Sequence, residues 1–217
     1  MIAIIDYKAG NLASVARALD HLGFECRITH DIQEIERSDR VIFPGVGSAG
    51  HAMRDLEAMG LERAIREAYA SGKPILGICL GTQIILEESE EGQTPCLGLL
   101  PGTVKCFPLP LVSNDGTRLK VPHMGWNQVA MARPHPLFES VPPESEFYFV
   151  HSFFPSPKDR QTVVATTDYG IVFASVLAKK NLCAVQFHPE KSGAPGLTLL
   201  ANFCSWDGDD GKEVFAP

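Results

Sequence analysis

The sequence predicts an α/β fold: a doubly wound, mostly parallel central sheet, with additional antiparallel strands in the C-terminal half. Three observations carry this. Up to about residue 90, short apolar runs alternate with amphipathic segments, the pattern of β-α-β units whose strands are buried on both faces. Beyond that point strand patterns follow one another with few helical patterns between them. The chain has 217 residues, 45% apolar and 21% charged, enough for one domain with a sizeable core. We read residues 1–206 as a single domain and 207–217 as a polar C-terminal tail.

"MIAIID" is a continuous apolar run and opens the sheet. Asn11 can cap the next segment, where Leu12, Val15, Ala16, Leu19 and Leu22 recur at helical spacing and Gly23 is placed to end the helix. "ECRITH" is a short strand, "DIQEIERSD" a short polar helix starting near Asp31, and "RVIFPG" a third strand. A helix over 51–70 carries Met53, Leu56, Leu61, Ile65 and Ala68, can break near Gly60 and closes at Ser71-Gly72. "KPILGI" is a fourth strand, and Leu80 to Glu88 the next helix. "GTVKCF", "NQVAM", "FYFVHSF", "TVVATT" and "IVFASVLAKKNLCAVQF" read as strands, the last folded at a hairpin turn over Ala178 to Asn181. A final helix spans Leu197 to Trp206.

Composition narrows the function. The formal net charge of −7 argues against nucleic acid or an anionic membrane as the main partner. "MIAIID" lacks the basic start and the length of a signal peptide, and "PILGICLGTQIIL" is too short and too glycine-rich to span a bilayer. Six cysteines are scattered without a C-x-x-C pair, so a reduced, cytoplasmic protein is expected, with most of them buried as small hydrophobes.

"GICLGTQ" is the stretch with chemistry in it. A buried strand runs into Gly-x-Cys-x-Gly and then a helix, the layout of a nucleophile elbow with cysteine in place of serine. The turn needs small flanks, which Gly77 and Gly81 provide. The helix start favours a thiolate at Cys79, and the N–H of Leu80 points to where an oxyanion would form. A structural cysteine in a tight turn fits the same local pattern. A thiol nucleophile needs a base, and the base an orienting group. Of seven histidines, His21 and His30 read as surface or boundary residues, His51 begins a helix and His135 sits in a loop between prolines. His188 follows the apolar strand "CAVQF", which would carry it to the carboxyl edge of the sheet, where Cys79 also lies. Pro189 fixes the chain so that Glu190 can reach back to the ring. The glycine-rich "FPGVGSAG" has no phosphate-loop pattern, but as a loop beside the elbow its N–H groups can complete an oxyanion hole.

"PGVG", "GICLGTQ" and "QFHPE", in that order and spacing, resemble the class I glutamine amidotransferases with a Cys-His-Glu triad, over nearly the whole chain. "IIDYKAGNLASV", "VPHMGWN", "YFVHSF" and "FHPEKS" resemble the branch of that family that serves imidazole glycerol phosphate synthesis. The resemblance implies Cys79 as nucleophile, His188 as general base and acid and Glu190 as its orienter. It further implies an oxyanion hole from Leu80 and the backbone around Val46 and Gly47. Gln83 and the main chain at Ser152 and Phe153 would hold the amino-acid end of glutamine. The chain departs from the family pattern at Lys8-Ala9, Thr82 and Phe154, none of them a triad member.

Glutamine hydrolysis by this route needs no metal or organic cofactor. Ammonia released into neutral water becomes ammonium and is no nucleophile, so a glutaminase serving a synthesis must hand it over shielded, which calls for a docked synthase subunit. The resemblance implies a (β/α)8-barrel cyclase as that heterodimer partner. "PHMGWN" joins apolar side chains to turn residues, which makes Trp126 and Met124 expected partner-interface residues, with packing in the chain's own core as the competing reading for Trp126. Lys191 is placed to meet the partner or to be a solvated surface lysine. A glutaminase feeding another synthesis, such as that of anthranilate, and a non-catalytic binding subunit of the same fold are the remaining alternatives.

Overall fold

The computed structural model describes residues 1–8, 10–113 and 115–209. The first part of the chain forms β1 (Ile2–Ile5), α1 (Leu12–His21), β2 (Cys26–Thr29), α2 (Ile32–Arg37), β3 (Arg40–Gly45), α3 (Ala49–Ala58), α4 (Leu61–Ala70), β4 (Ile75–Cys79) and α5 (Leu80–Ile84). There follow β5 (Glu88–Ser89), β6 (Thr94–Pro95), β7 (Gly102–Cys106), β8 (Leu111–Val112), β9 (Arg118–Leu119), β10 (His123–Gln128) and β11 (Ala130–Met131). The rest comprises β12 (Glu146–His151), β13 (Phe153–Pro157), β14 (Val163–Asp168), β15 (Val172–Lys179), β16 (Leu182–Val185) and α6 (Gly193–Ser205).

The main sheet has eight strands in the order β11-β14-β15-β16-β4-β3-β1-β2. The five from β16 to β2 are parallel, and β15, β14 and β11 extend the sheet antiparallel. Alternation along β1 shows why its sequence is apolar throughout. Ile2 and Ile4 pack with Val15 and Leu19 of α1 and Leu199 and Phe203 of α6, whereas Ala3 and Ile5 pack with Ile35 of α2, Leu56 of α3 and Ile65 of α4. Beside this sheet lie a four-stranded sheet, β13-β7-β5-β6, and the two-stranded ladders β10-β12 and β8-β9. Among the described residues, no helix is long and apolar enough to cross a membrane. No cysteine pairs with another in a disulfide, and three of the six, Cys79, Cys183 and Cys204, are buried.

The structure corrects several boundaries. The helix expected over 51–70 starts earlier, at Ala49, and breaks at Gly60 (φ 68°) as its sequence allows. α5 stops at Ile84 rather than Glu88, because the carbonyls of Ile84, Ile85 and Leu86 accept N–H groups from Leu97, Leu99, Leu100 and Gly98 instead of continuing a helical ladder. "NQVAM" is not one strand. β10 starts earlier, at His123, to pair with β12, and β11 leaves after Val129 to pair with β14. "FYFVHSF" breaks at Ser152 into β12 and β13, which join different sheets. α6 starts at Gly193, four residues before the expected Leu197, since Pro195 lies in the first turn, where its missing N–H costs nothing. His135 is buried, and its Nδ1 accepts the Leu137 N–H at 3.2 Å. Of the expected tail, 210–217 lie outside the described residues, as does Ala9.

Candidate active site

Cys79 ends β4 at φ 54°, ψ −107°, a conformation that costs an L-residue strain and is the mark of an elbow. Its flanks are small for a measurable reason. A Cβ on Gly81 would stand 1.9 Å from the Phe43 carbonyl oxygen, and one on Gly77 3.0 Å from Ala184 Cβ. The elbow therefore packs directly against both neighbouring strands.

β16 lies parallel to β4, with Val185 opposite Ile78, so the chain leaving β16 reaches the carboxyl edge beside Cys79. His188 stands there, its backbone N–H bonded to the Tyr148 carbonyl at 2.9 Å. Pro189–Lys191 form a 3-10 turn that brings Glu190 back, so that Oε1 meets His188 Nδ1 at 2.8 Å. Both side chains are buried. Nδ1 being engaged, Nε2 is the nitrogen available for proton transfer, and it is buried with no hydrogen-bond partner of its own. Burial alone would push the His188 pKa down, but the interactions with Cys79 and with the Glu190 carboxylate outweigh it and raise the value to about 10. Both neighbours thus favour the protonated ring.

A cavity of about 390 Å³ opens onto Cys79. Val46, Gly47, Leu80, Gln83, Ser152 and Phe153, all singled out from sequence, line it with the thiol. The Ser152 carbonyl accepts the Phe107 N–H at 3.2 Å, and the Phe153 carbonyl accepts from Gln83 Nε2 at 2.9 Å. The structure adds three residues to the site. Asn11, expected to cap α1, is left-handed at φ 75°, makes no side-chain cap, and instead donates its amide to Glu190 Oε1. Gln186 is fully buried and donates Nε2 to Cys79 Sγ at 3.8 Å. Glu91 lines the cavity and accepts the Ala49 N–H at 2.7 Å. Only Asn11 and Gln186 had a signal, lying inside the quoted "IIDYKAGNLASV" and "QFHPE".

The expected interface residues gather on the outer face of the β10-β12 ladder; they do not line the cavity themselves, but Val150, opposite Met124, does. Met124 is 62% and Trp126 54% exposed, so Trp126 is not in the chain's own core. Trp126 meets Tyr148 edge to face at 6.1 Å between centroids, and Lys191 Nζ sits 5.9 Å over the same tyrosine ring. Lys8, the departure in the first loop, stands 3.7 Å from Asp55. Thr82, another departure, donates its hydroxyl to the Val185 carbonyl at 2.6 Å. Phe154 stacks into a cluster with Phe107 and Phe173. Among the described residues, no three His, Cys, Asp or Glu side chains are grouped to hold a metal.

Residues 3–205 match the family model for glutamine amidotransferase class-I. Imidazole glycerol phosphate synthase subunit HisH of Nitratidesulfovibrio vulgaris is 51% identical over 203 residues, 94% of this chain and 95% of its own. The subunit of the same description from Aromatoleum aromaticum is 51% identical over 208 residues, 94% of this chain and 98% of its own. Among solved structures, a glutamine amidotransferase superposes with a TM-score of 0.70 at 18% identity, over 93% of this chain and 99% of that one. The PurLQS structure from Thermotoga maritima gives 0.67 at 20% identity, over 94% and 97%. At those identities the structures speak for the fold.

Two outcomes follow from the geometry. Gly81→Ala should destabilise the protein by about 1–3 kcal/mol, since the strand carbonyl it meets cannot move aside; chemical denaturation measures this, and wild-type stability would refute the close packing. The raised pKa of His188 couples folding to its proton. Its stabilisation is fully present below the unfolded value of 6.5 and is lost as pH rises through about 10. The wild-type melting temperature should therefore fall more steeply between these values than that of His188→Asn, as calorimetry across pH would record.

Proposed function

The chain belongs to the class I glutamine amidotransferase family, and from that membership we propose that it acts as the glutaminase subunit of an imidazole glycerol phosphate synthase in histidine biosynthesis. One observation carries the chemistry: a strained thiol lining a cavity roomy enough for glutamine, with a buried His-Glu pair beside it. Identity of 51% to two HisH subunits over nearly the whole chain supports this branch over the one feeding anthranilate.

Cys79 Sγ attacks the side-chain amide carbon of glutamine. The oxyanion accepts from the Leu80 N–H and from the backbone of Val46 and Gly47. His188 delivers the proton from Nε2 to the departing nitrogen, so ammonia leaves and a glutamyl thioester remains. Water then attacks the thioester with His188 as base, releasing glutamate and restoring the thiol. Glu190 holds the ring through Nδ1 and stabilises its cation, and Asn11 holds Glu190. Gln83, with the main chain at Ser152 and Phe153, receives the amino-acid end of glutamine.

Ammonia must pass on before it is protonated, which assigns this chain a docked synthase subunit. We take that subunit to be a (β/α)8-barrel cyclase, seated on Met124, Trp126 and Lys191, which uses the ammonia to make imidazole glycerol phosphate and an aminoimidazole carboxamide ribonucleotide. We place the chain in the cytoplasm, as its six cysteines, none in a disulfide, suit a reducing compartment.

Cys79→Ala should lower glutamine-dependent synthesis by the complex roughly 10³-fold or more while ammonia-dependent synthesis stays unchanged. Near wild-type glutamine turnover in that variant would make the thiol structural and sink the reading. Glu190→Gln should be milder than His188→Ala in the same assay, because removing an orienting group leaves the base in place; equal and total loss in both would assign Glu190 a role in folding instead.

A further inference from the structure

His123 and His151, which the proposed mechanism does not use, form a connected chain inside the β10-β12 ladder, where they stand opposite each other. Backbone groups fix its direction at both ends. At one end the Gln128 N–H donates to Asn127 Oδ1 at 2.8 Å, and Asn127 Nδ2 donates to the Asp168 carbonyl at 2.9 Å, so the amide can stand only one way round. At the other end His151 Nδ1 meets the Phe153 carbonyl at 2.8 Å, and a carbonyl only accepts, so that nitrogen carries the proton. His151 Nε2 lies 3.0 Å from His123 Nδ1, and His123 Nε2 lies 3.3 Å from Asn127 Nδ2. With both rings neutral every step has one donor and one acceptor: Asn127 donates to His123, His123 to His151, and His151 to the Phe153 carbonyl. A proton on His151 Nε2 would set two donors face to face. Burial pushes His123 down to about 4 and His151 down to about 3, the latter held lower by His123 and by His188, so both are neutral at pH 7. The ring of His123 is clamped between Tyr169 at 3.9 Å and Phe149 at 4.8 Å, both 22° from parallel.

The chain ends on the cavity wall. The Phe153 carbonyl takes His151 on one lone pair and Gln83 Nε2 on the other. Gln83 Nε2 spends its second hydrogen on Gln186 Oε1 at 3.1 Å, and Gln186 reaches Cys79 Sγ. Both hydrogens of the Gln83 amide thus point inward, and its Oε1 is the atom presented to a ligand ammonium. We propose that His123 and His151 are positioning residues of this site: a neutral hydrogen-bond chain of fixed direction that sets the Phe153 carbonyl and, through it, the Gln83 amide that receives the amino-acid end of glutamine. The inference rests on the glutaminase reading above.

The test uses the complex with the synthase subunit. His123→Phe keeps a flat ring between Tyr169 and Phe149 and deletes both nitrogens. The KM for glutamine should rise roughly tenfold with kcat within about twofold. Ammonia-dependent synthesis, and alkylation of Cys79 by iodoacetamide, should be unchanged. In the wild type, long-range proton–nitrogen spectra should show both histidines as neutral Nδ1–H tautomers from about pH 5 to 8; this measurement stands even if the variant does not fold. A wild-type KM in His123→Phe, or either ring titrating or bearing its proton on Nε2 in that range, overturns the inference. Cys79→Ala in parallel separates the two failures. If it keeps glutamine turnover, the glutaminase reading falls. If it loses turnover while His123→Phe keeps the wild-type KM, only the positioning chain falls.

Discussion

The backbone at Cys79 is the constraint on which the site depends. A non-glycine residue at φ 54°, ψ −107° costs on the order of 1–3 kcal/mol, and such a conformation persists only where the surroundings over-determine it. Here they do. β4 is flanked in register by β3, with Gly45 opposite Cys79, and by β16, with Val185 opposite Ile78. Gly81 lets α5 seat against the Phe43 carbonyl of β3, and Thr82 ties α5 to the Val185 carbonyl of β16. Gly45 meets a matching demand from beneath, since a Cβ there would stand 1.9 Å from the Tyr7 hydroxyl. The two strands that hold the thiol in strain also supply its surroundings: β3 runs into the loop of Val46 and Gly47, and β16 into His188.

The acidic member of the site follows from burial. A carboxylate with no exposed side-chain surface is tolerable only with partners, and Glu190 has two, His188 Nδ1 and the Asn11 amide. Asn11 gives up a conventional role to provide one of them. A side-chain cap is worth about 1 kcal/mol to a helix, and α1 begins without one, although the Ser14 N–H still finds the Asn11 carbonyl at 3.1 Å. Local helix stability is traded for a second donor on a buried anion. Among the described residues, removing Asn11 would leave His188 as the one hydrogen-bond partner of Glu190, whose Oε2 has none.

How much of this was legible depends on whether the signal was local. The parallel strands could be read because burial on both faces leaves an apolar run, and the elbow because close packing demands glycine within two residues of Cys79. The pairing of His188 with Glu190 was readable through Pro189, which fixes the intervening chain. The length of α5 was not, because its end is decided by N–H groups of residues 97–100, which no pattern near Ile84 announces. Asn11 does stand at the N-cap of α1, but the use of its side chain is hidden for the same reason: nothing nearby reveals a carboxylate 179 positions away. His123 and His151 lie 28 residues apart and meet only through strand register, so each alone reads as one more buried histidine.

The proposed docking face and the cavity share the β10-β12 ladder, with no long relay between them. Side chains on a strand alternate, so β10 turns Met124 and Trp126 outward and His123 and Asn127 inward. β12 pairs with it residue for residue and then runs on through Ser152 to Phe153, which line the cavity. A subunit seated on Trp126, as proposed, would bear on a two-stranded ribbon whose inner side carries His151, bonded to the Phe153 carbonyl of β13. A two-stranded ribbon alone is only marginally stable, so its rigidity must come from packing. The stack of Phe149, His123 and Tyr169 supplies that on the inner face, and the outer face, with two large apolar side chains exposed, has no such cover among the described residues. A partner covering that face would remove apolar area from water and stiffen the strand pair beside the cavity wall, so in the proposed complex assembly and substrate placement would act on the same few residues.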